Sequence, residues 1–402
     1  MNTMTNSSDN QNKDEPKQAE LLPMEEQPRQ LSFFLDVKDP SHSQSLRLWD
    51  SLVNAIFDDR KVVNRVNGKF LETSNTKIEF ESQNIDVTRY PARIGKGSEE
   101  KEHFPMKKEY KVLEALIKLA VDDNETEFYS SEDAPAYAKT LTIKTTLYRL
   151  RNVFRGVTGK ATYSFAQLEE ALEILSKSHI TFKSGDVEIN GPLISSFTKD
   201  KRQDSNNAEF VVSFHTVISR IVLHGGYREF NLRRALNSPD MFTTFLYKKF
   251  VHNFRQASKS NHYHFSMANL LKEVPSISSW KTNTRKVEKI SESLEKLTGE
   301  VVAKYEVDRR YSQGQGQKKL LDAVFKVWFT DKFISEQIVA NKSDKKEKEG
   351  VVIGMDGQEV GYPNRKDYQD TTAYLKDLEL YHSLSKKEGV AGIVQRIFHN
   401  KK

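Results

Sequence analysis

The run KTNTRKVEKISESLEKLTG, Lys281 to Gly299, divides chemically along its length. Val287, Ile290, Leu294 and Leu297 recur at helical spacing and form one apolar stripe. The first turns instead present Lys281, Thr282, Asn283, Thr284, Arg285, Lys286 and Lys289. A helix built this way is suited to a DNA major groove: Asn and Arg make bidentate contacts to base edges, and the helix N-terminus itself favours anions. On this reading Asn283 and Arg285 face bases, and Lys281, Lys286 and Lys289 lie near phosphates. A second basic group, Arg309, Arg310, Lys318 and Lys319, surrounds Gly314 and Gly316 at the tip of an alternating segment. A flexible basic hairpin end can follow a phosphate backbone or a minor groove. Basic residues on a helix face commonly mark nothing more than solvated surface, so the weight rests on finding both groups in one domain.

Other chemistries fail on spacing. His262 and His264 match the His-x-His spacing of a metal site on a strand. Tyr263 lies between them, however, and Tyr305 and Tyr311 fall on a later hairpin, so the third ligand and helical tyrosine of a nicking enzyme are missing. GVTGKAT, from Gly156, has too few residues between its glycines for a phosphate loop, and Ala161 follows its lysine. The chain contains no cysteine, which excludes disulfides, thiolate zinc sites and cysteine nucleophiles. The expectation is a non-enzymatic protein with no metal and no cofactor.

At 402 residues and 37% hydrophobic content, the chain can form two ordinary domains with charged extensions. No apolar run approaches the ~20 residues of a membrane span, and no signal-peptide order opens the chain. A cytoplasmic protein without membrane contact is expected. The net charge of +6 has the sign that suits phosphate backbones.

The elements that must hold the basic groups can be read in order. Residues 1–29 are polar and without an aromatic, and read as a disordered tail. Residues 30–102 read as strands around one helix with Leu48, Leu52, Ile56 and Phe57 on its face, followed by the hairpin IEFESQNIDV. From 103 to 230, helices over KKEYKVLEALIKLAV, TTLYRLRNVF and a Ser164/Gln167-capped segment precede the hairpin HITFKSGDVEI and a return strand near EFVVSF. From 231 to 332 the order repeats: a helix started by Ser238 and Pro239, the strand HYHF, the short helix FSMANLLKEV stopped at Pro275, the long helix above, and two strands. The expected fold class is therefore α+β, with two tandem winged-helix domains, a small N-terminal α/β lead-in and the tail. Residues 333–402 read as the charged linker NKSDKKEKE, a small hairpin in VVIGMDGQEV and a final helix near 371–384. The third helix of the first unit carries Glu169, Glu170 and Glu173, which would repel phosphate. That unit is expected to serve in protein contact, with Lys199, Lys201 and Arg202 as backbone contacts.

Several stretches carry a resemblance: LRLWDSLVNAIF, RYPARI with HFPMKKEYKVLEALIKLA, LEEALEILSKSHI, and SPDMFTTFLYKKFVHNFRQASKSNHYHF with RKVEKISESLEKL. Over about residues 31–330 the chain resembles plasmid replication initiator (Rep) proteins of the tandem winged-helix kind, and is most similar to the TrfA-like group. The resemblance implies binding to directly repeated origin sites (iterons), opening of adjacent A/T-rich DNA, and recruitment of host replication proteins, including the host initiator and helicase. It also implies dimerisation through the first winged helix, the homodimer being the inactive form in a bacterial cytoplasm. A winged-helix transcriptional regulator, and more remotely a metal-dependent nicking enzyme, stand as alternatives. QLSFF, at Gln30, Leu31, Ser32, Phe33 and Phe34, resembles the pentapeptide with which some members dock on the bacterial sliding clamp, with Phe33 where leucine is usual. The competing reading is a first strand that packs Leu31, Phe33 and Leu35 and leaves Phe34 unpartnered.

Overall fold

The structure is a computed structural model that describes residues 34, 37, 39–57, 63–64, 71–80, 83–95, 100–122, 126–129, 140–185, 187–199, 209–224, 226–313, 318–353 and 359–361. The lead-in comprises β1 (His42–Leu46), α1 (Arg47–Ile56), β2 (Val63–Asn64), β3 (Ser74–Phe80), β4 (Gln83–Arg89), β5 (Ala92–Ile94) and β6 (Lys101–His103). The first repeat contains α2 (Lys107–Asp122), β7 (Glu127–Tyr129), β8 (Thr140–Thr146), α3 (Leu147–Thr158), α4 (Phe165–Lys177), β9 (His179–Ser184), β10 (Val187–Pro192), β11 (Ile194–Lys199) and β12 (Glu209–Phe214). A connector of α5 (Thr216–His224), β13 (Tyr227–Asn231) and α6 (Leu232–Asn237) leads to the second repeat: α7 (Met241–Asn253), β14 (Tyr263–Ser266), α8 (Met267–Glu273), α9 (Pro275–Ser278), α10 (Asn283–Leu297), β15 (Val302–Tyr311) and β16 (Leu320–Phe329). The chain continues through α11 (Asp331–Gly350) and the antiparallel pair β17 (Val351–Ile353) and β18 (Glu359–Gly361).

The two repeats share one topology. In the second, the sheet order β14-β16-β15 places the hairpin beside the lone strand, with α7, α8 and α10 packed around it. In the first, β11 and β12 form the hairpin and β12 lies beside β8, giving the order β11-β12-β8-β7. Both are winged helices. The SGD hairpin expected to be the first unit's wing is not part of that sheet. It forms β9 and β10, and β9 pairs with β4 to complete a lead-in sheet ordered β10-β9-β4-β3. The physical reason lies in burial: Ile180 and Phe182 are covered, and Phe182 meets Trp49 of α1 edge-on at 6.4 Å. Alternation identifies a strand without identifying its neighbour.

Three further local expectations are corrected. Ser238 ends α6, and the N-cap of α7 is Asp240, whose carboxylate accepts from the Thr243 amide at 2.9 Å. The stop at Pro275 is itself a short helix, α9. NKSDKKEKE is no linker: Asn341 to Glu349 continue α11, consistent with the helix propensity of Lys and Glu. α11 docks back on the connector, where Arg228 donates to Gln337 Oε1 at 3.2 Å and Arg234 to Glu336 Oε1 at 3.1 Å.

Phe34 is also placed. It is fully buried and meets Tyr227 edge-on at 5.4 Å, while its carbonyl accepts from Gln44 Nε2 at 3.3 Å. The unpartnered Phe34 that favoured a clamp peptide therefore has a partner within the chain. Gln30, Leu31, Ser32 and Phe33, with the tail, lie outside the described residues, as do Lys201, Arg202 and the segment near 371–384.

A buried charged node joins the lead-in to both repeats. Lys248 of α7 is 2% exposed and donates to Asp50 of α1 at 2.6 Å and to Glu114 of α2 at 2.7 Å. His252 Nε2 stands 2.9 Å from Asp50, and Ser45 of β1 bonds the same carboxylate. Burial alone would raise the Asp50 carboxyl, but Lys248 and His252 outweigh it and hold it below its ordinary value. At Glu114 burial prevails and the carboxyl is raised. Burial pushes His252 down to about 4, and His215 likewise to about 4.

Two outcomes are expected. Replacing Lys248 with Met leaves Asp50 and Glu114 facing each other without a cation, and should lower stability by about 3–5 kcal/mol in urea unfolding. Acid should also destabilise the fold. Between pH 6.5, the ordinary histidine value, and about 4 the unfolded chain binds protons that folded His252 and His215 refuse. Their contribution is full above pH 6.5 and is lost towards pH 4, a total of a few kcal/mol. Glu114, with its raised pKa, acts in the opposite sense, so a His252→Asn variant should show a shallower stability loss across this window.

Candidate nucleic-acid interface

The basic end of α10 is held by its rear. Val287, Ile290 and Leu294 are essentially inaccessible, and the helix packs on α7, β15 and β16. Asp240 adds a polar tie: its carboxylate receives Lys296 at 3.0 Å and Lys289 at 3.6 Å. Burial would raise this carboxyl, yet the Thr243 amide, Lys296 and Lys289 hold it below its ordinary value. One residue thus caps α7 and pins α10 against it.

The front is open. Lys281, Thr282, Thr284 and Arg285 are exposed, and Lys286 is half-buried. Thr282 is the N-cap but makes no side-chain capping bond, and no acidic residue occupies the first turn. The amide end of the helix therefore keeps its affinity for anions. Arg309, Arg310, Lys318 and Lys319 are exposed at the far end of the β15–β16 hairpin, whereas Gly314 and Gly316 lie outside the described residues.

Two of the expected contacts have other partners. Asn283 donates from Nδ2 to the carbonyls of Leu320 and Leu321 at 3.0 and 2.9 Å, so its amide ties the hairpin to the start of α10. Both its donors are used inside the chain, and a bidentate adenine contact needs one of them. Lys289 is engaged by Asp240 and by Glu292 at 3.8 Å, and points along the α7 junction. The remaining cations, from Lys281 to Lys286 and from Arg309 to Lys319, form one surface around the Asn283 tie.

Sequence reasoning missed the apolar part of this surface. Trp280 is 39% exposed, Tyr311 47% and Leu321 59%. Tyr311 pairs with Leu320 and Arg310 with Asp322, leaving Leu321 as the extra residue of a β-bulge. Trp280, placed directly before the helix start, was the visible signal. A bulge has no such mark in LLD.

The other candidates resolve differently. In the first unit α4 is covered by β5, with Ile174 packed against Ala92 and Ile94. Glu170 is bound by Lys108 of α2, and Glu173 by Lys177 at 2.6 Å. Lys199 falls in β11. His262 stacks on Trp328 at 5.1 Å with His264 6.2 Å away, and among the described residues no group of three or more His, Cys, Asp or Glu could hold a metal ion. Gly156 lies within α3, and Gly159, at φ 77°, ends that helix in the left-handed conformation that glycine tolerates. Among the described residues no helix is long and apolar enough to cross a membrane.

No family model matches the chain, and no curated protein is similar to it in sequence. Among solved structures it is similar to RctB domains 2–3, with 9% identity over 72% of this chain and 99% of that one and a TM-score of 0.41. It is also similar to the selenomethionine form of RctB domains 2 and 3, with 9% identity, 73% and 99% coverage and a TM-score of 0.40. The Pi initiator protein in complex with iteron DNA matches with 12% identity, 56% and 91% coverage and a TM-score of 0.39.

If Asn283 positions the hairpin, Asn283→Ala should weaken binding to every DNA sequence alike and speed amide exchange over residues 319–322. The lost bonds correspond to about 1–2 kcal/mol of hairpin tethering. A loss confined to one base pair, with exchange unchanged, would restore a base-reading role.

Proposed function

We propose that the chain binds duplex DNA through the second winged helix and acts as a replication initiator at repeated origin sites. The observation that carries this reading is the continuity of exposed charge across two elements. The open N-terminus of α10 brings Lys281, Arg285 and Lys286, the hairpin end brings Arg309, Arg310, Lys318 and Lys319, and Asn283 fixes one to the other. In this arrangement Arg285 faces base edges in the major groove, while Lys281, Lys286 and the hairpin cations neutralise phosphates. The step from DNA binding to initiation is supported by the sequence resemblance to Rep proteins over about residues 31–330. Opening of A/T-rich DNA and recruitment of host proteins belong to the same proposal, as does control by dimerisation. The chain is proposed to act without catalysis and without a cofactor.

Footprinting on the DNA flanking the gene tests the reading. Several short protected repeats spaced at whole helical turns, with distortion of neighbouring A/T-rich DNA, are expected. A single protected operator without distortion would favour a transcriptional regulator, and no protection would end the DNA-binding proposal. Charge removal sorts the contacts further. Lys286→Ala and Lys318→Ala should each flatten the slope of log affinity against log salt by about 0.9, whereas Arg285→Ala should relax discrimination at one base pair by about 1–3 kcal/mol.

A further inference from the structure

We propose that Leu321 is an apolar wedge, presented by the β15–β16 hairpin to the minor groove beside the groove that α10 enters. The proposal rests on the duplex binding argued above and adds a means of deforming the DNA. Leu321 is the most exposed large apolar side chain among the described residues. It occupies the unpaired position of a bulge, a device that re-aims a side chain out of the regular pleat.

The bulge is locked on every side. Asn283 binds the carbonyls of Leu320 and Leu321, and Asp322 accepts from the Ala268 amide of α8 at 3.0 Å. Beyond the bulge, Ser312 donates to the Lys319 carbonyl at 2.8 Å, and the Lys319 amide donates to Ser312 Oγ at 3.0 Å. The leucine is thus held in water at a fixed place instead of resting on a loose loop.

Its surroundings select the partner. Arg309 and Arg310 pair with Ala323 and Asp322 on the facing strand, Lys318 and Lys319 lie just before it in the chain, all four are exposed, and Tyr311 stands across from its neighbour Leu320. An exposed leucine on a cation-bearing hairpin is complementary to a groove with phosphate walls and a floor of base steps and sugars. With α10 in the major groove, the hairpin lies one phosphate strand to the side, over the minor groove. A leucine pressed between base pairs there partly unstacks them, at least cost at flexible pyrimidine–purine steps. Wedging would make the protein sensitive to sequence at a position where it forms no hydrogen bond to a base.

The test uses the full chain at saturating concentration on duplexes carrying the footprinted site, with 2-aminopurine placed at successive steps. The wild type should raise fluorescence severalfold at one or two adjacent steps. Leu321→Met should keep the rise. Leu321→Ala should lose most of it while the hydroxyl-radical footprint over the α10 contacts persists. A wild-type footprint without any responding step, or an unchanged rise with Leu321→Ala, overturns the wedge and leaves duplex binding intact. Absence of any wild-type footprint overturns duplex binding, and the wedge with it.

Discussion

The arrangement depends on one buried cation. Lys248 sits on the first helix of the second unit and touches Asp50 of the lead-in and Glu114 of the first unit, so three parts of the chain share one neutralised cluster. Such a cluster adds little net stability over an apolar core, because desolvation offsets the attraction. What it imposes is geometry: two carboxylates within reach of one ammonium tolerate few arrangements of α1, α2 and α7. The aromatic floor helps, with Lys248 Nζ 4.8 Å from the Phe230 ring centre. Once α7 is fixed, α10 is fixed through Asp240, and the direction of the basic end follows.

The repeated topology has been put to two uses. In each unit a third helix lies ahead of a hairpin, but β5 packs on α4 at Ile174, and Glu170 and Glu173 are engaged by Lys108 and Lys177. α10 has no such cover over its first turn. The difference lies partly in the lead-in, whose strand β5 packs on α4. It is reinforced by the β9–β10 hairpin, which follows α4 and joins the lead-in sheet before the first wing begins. An acidic helix can pack on its own chain with lysines meeting its glutamates, whereas the basic end of α10 keeps Lys281 and Arg285 in solvent.

Much of this could be read from residue order. The 3.6-residue periodicity marked α2, α4 and α10, the Ser164–Gln167 pair marked a capping box that is formed in full, and the repetition of helices before a hairpin marked the winged helices. What could not be read were choices set by distant partners. Which strand β9 joins depends on an edge offered by β4, about ninety residues earlier in the chain by the register of Phe182 with Val87. Whether Ser238 or Asp240 caps α7 depends on where α6 ends. The role of Asn283 depends on carbonyls thirty-seven and thirty-eight positions later in the chain. Residue type told what Asn283 can bond, and only the fold told what is there to be bonded.

Asn283 and Asp240 show how a reading head can be rigid at its base and open at its tip. Both are short polar side chains at the ends of α10's packing face, and both spend their hydrogen-bonding capacity inside the protein. Asp240 engages Lys289 and Lys296, which occupies two cations but fixes the helix axis. Asn283 holds the hairpin beside the helix. A long flexible cation placed on a fixed frame loses less freedom on meeting a phosphate than one on a moving frame, since only its own rotamers must be ordered. The exposed lysines and arginines therefore depend on side chains whose bonds lie inside the protein, and part of the basic stretch is scaffold.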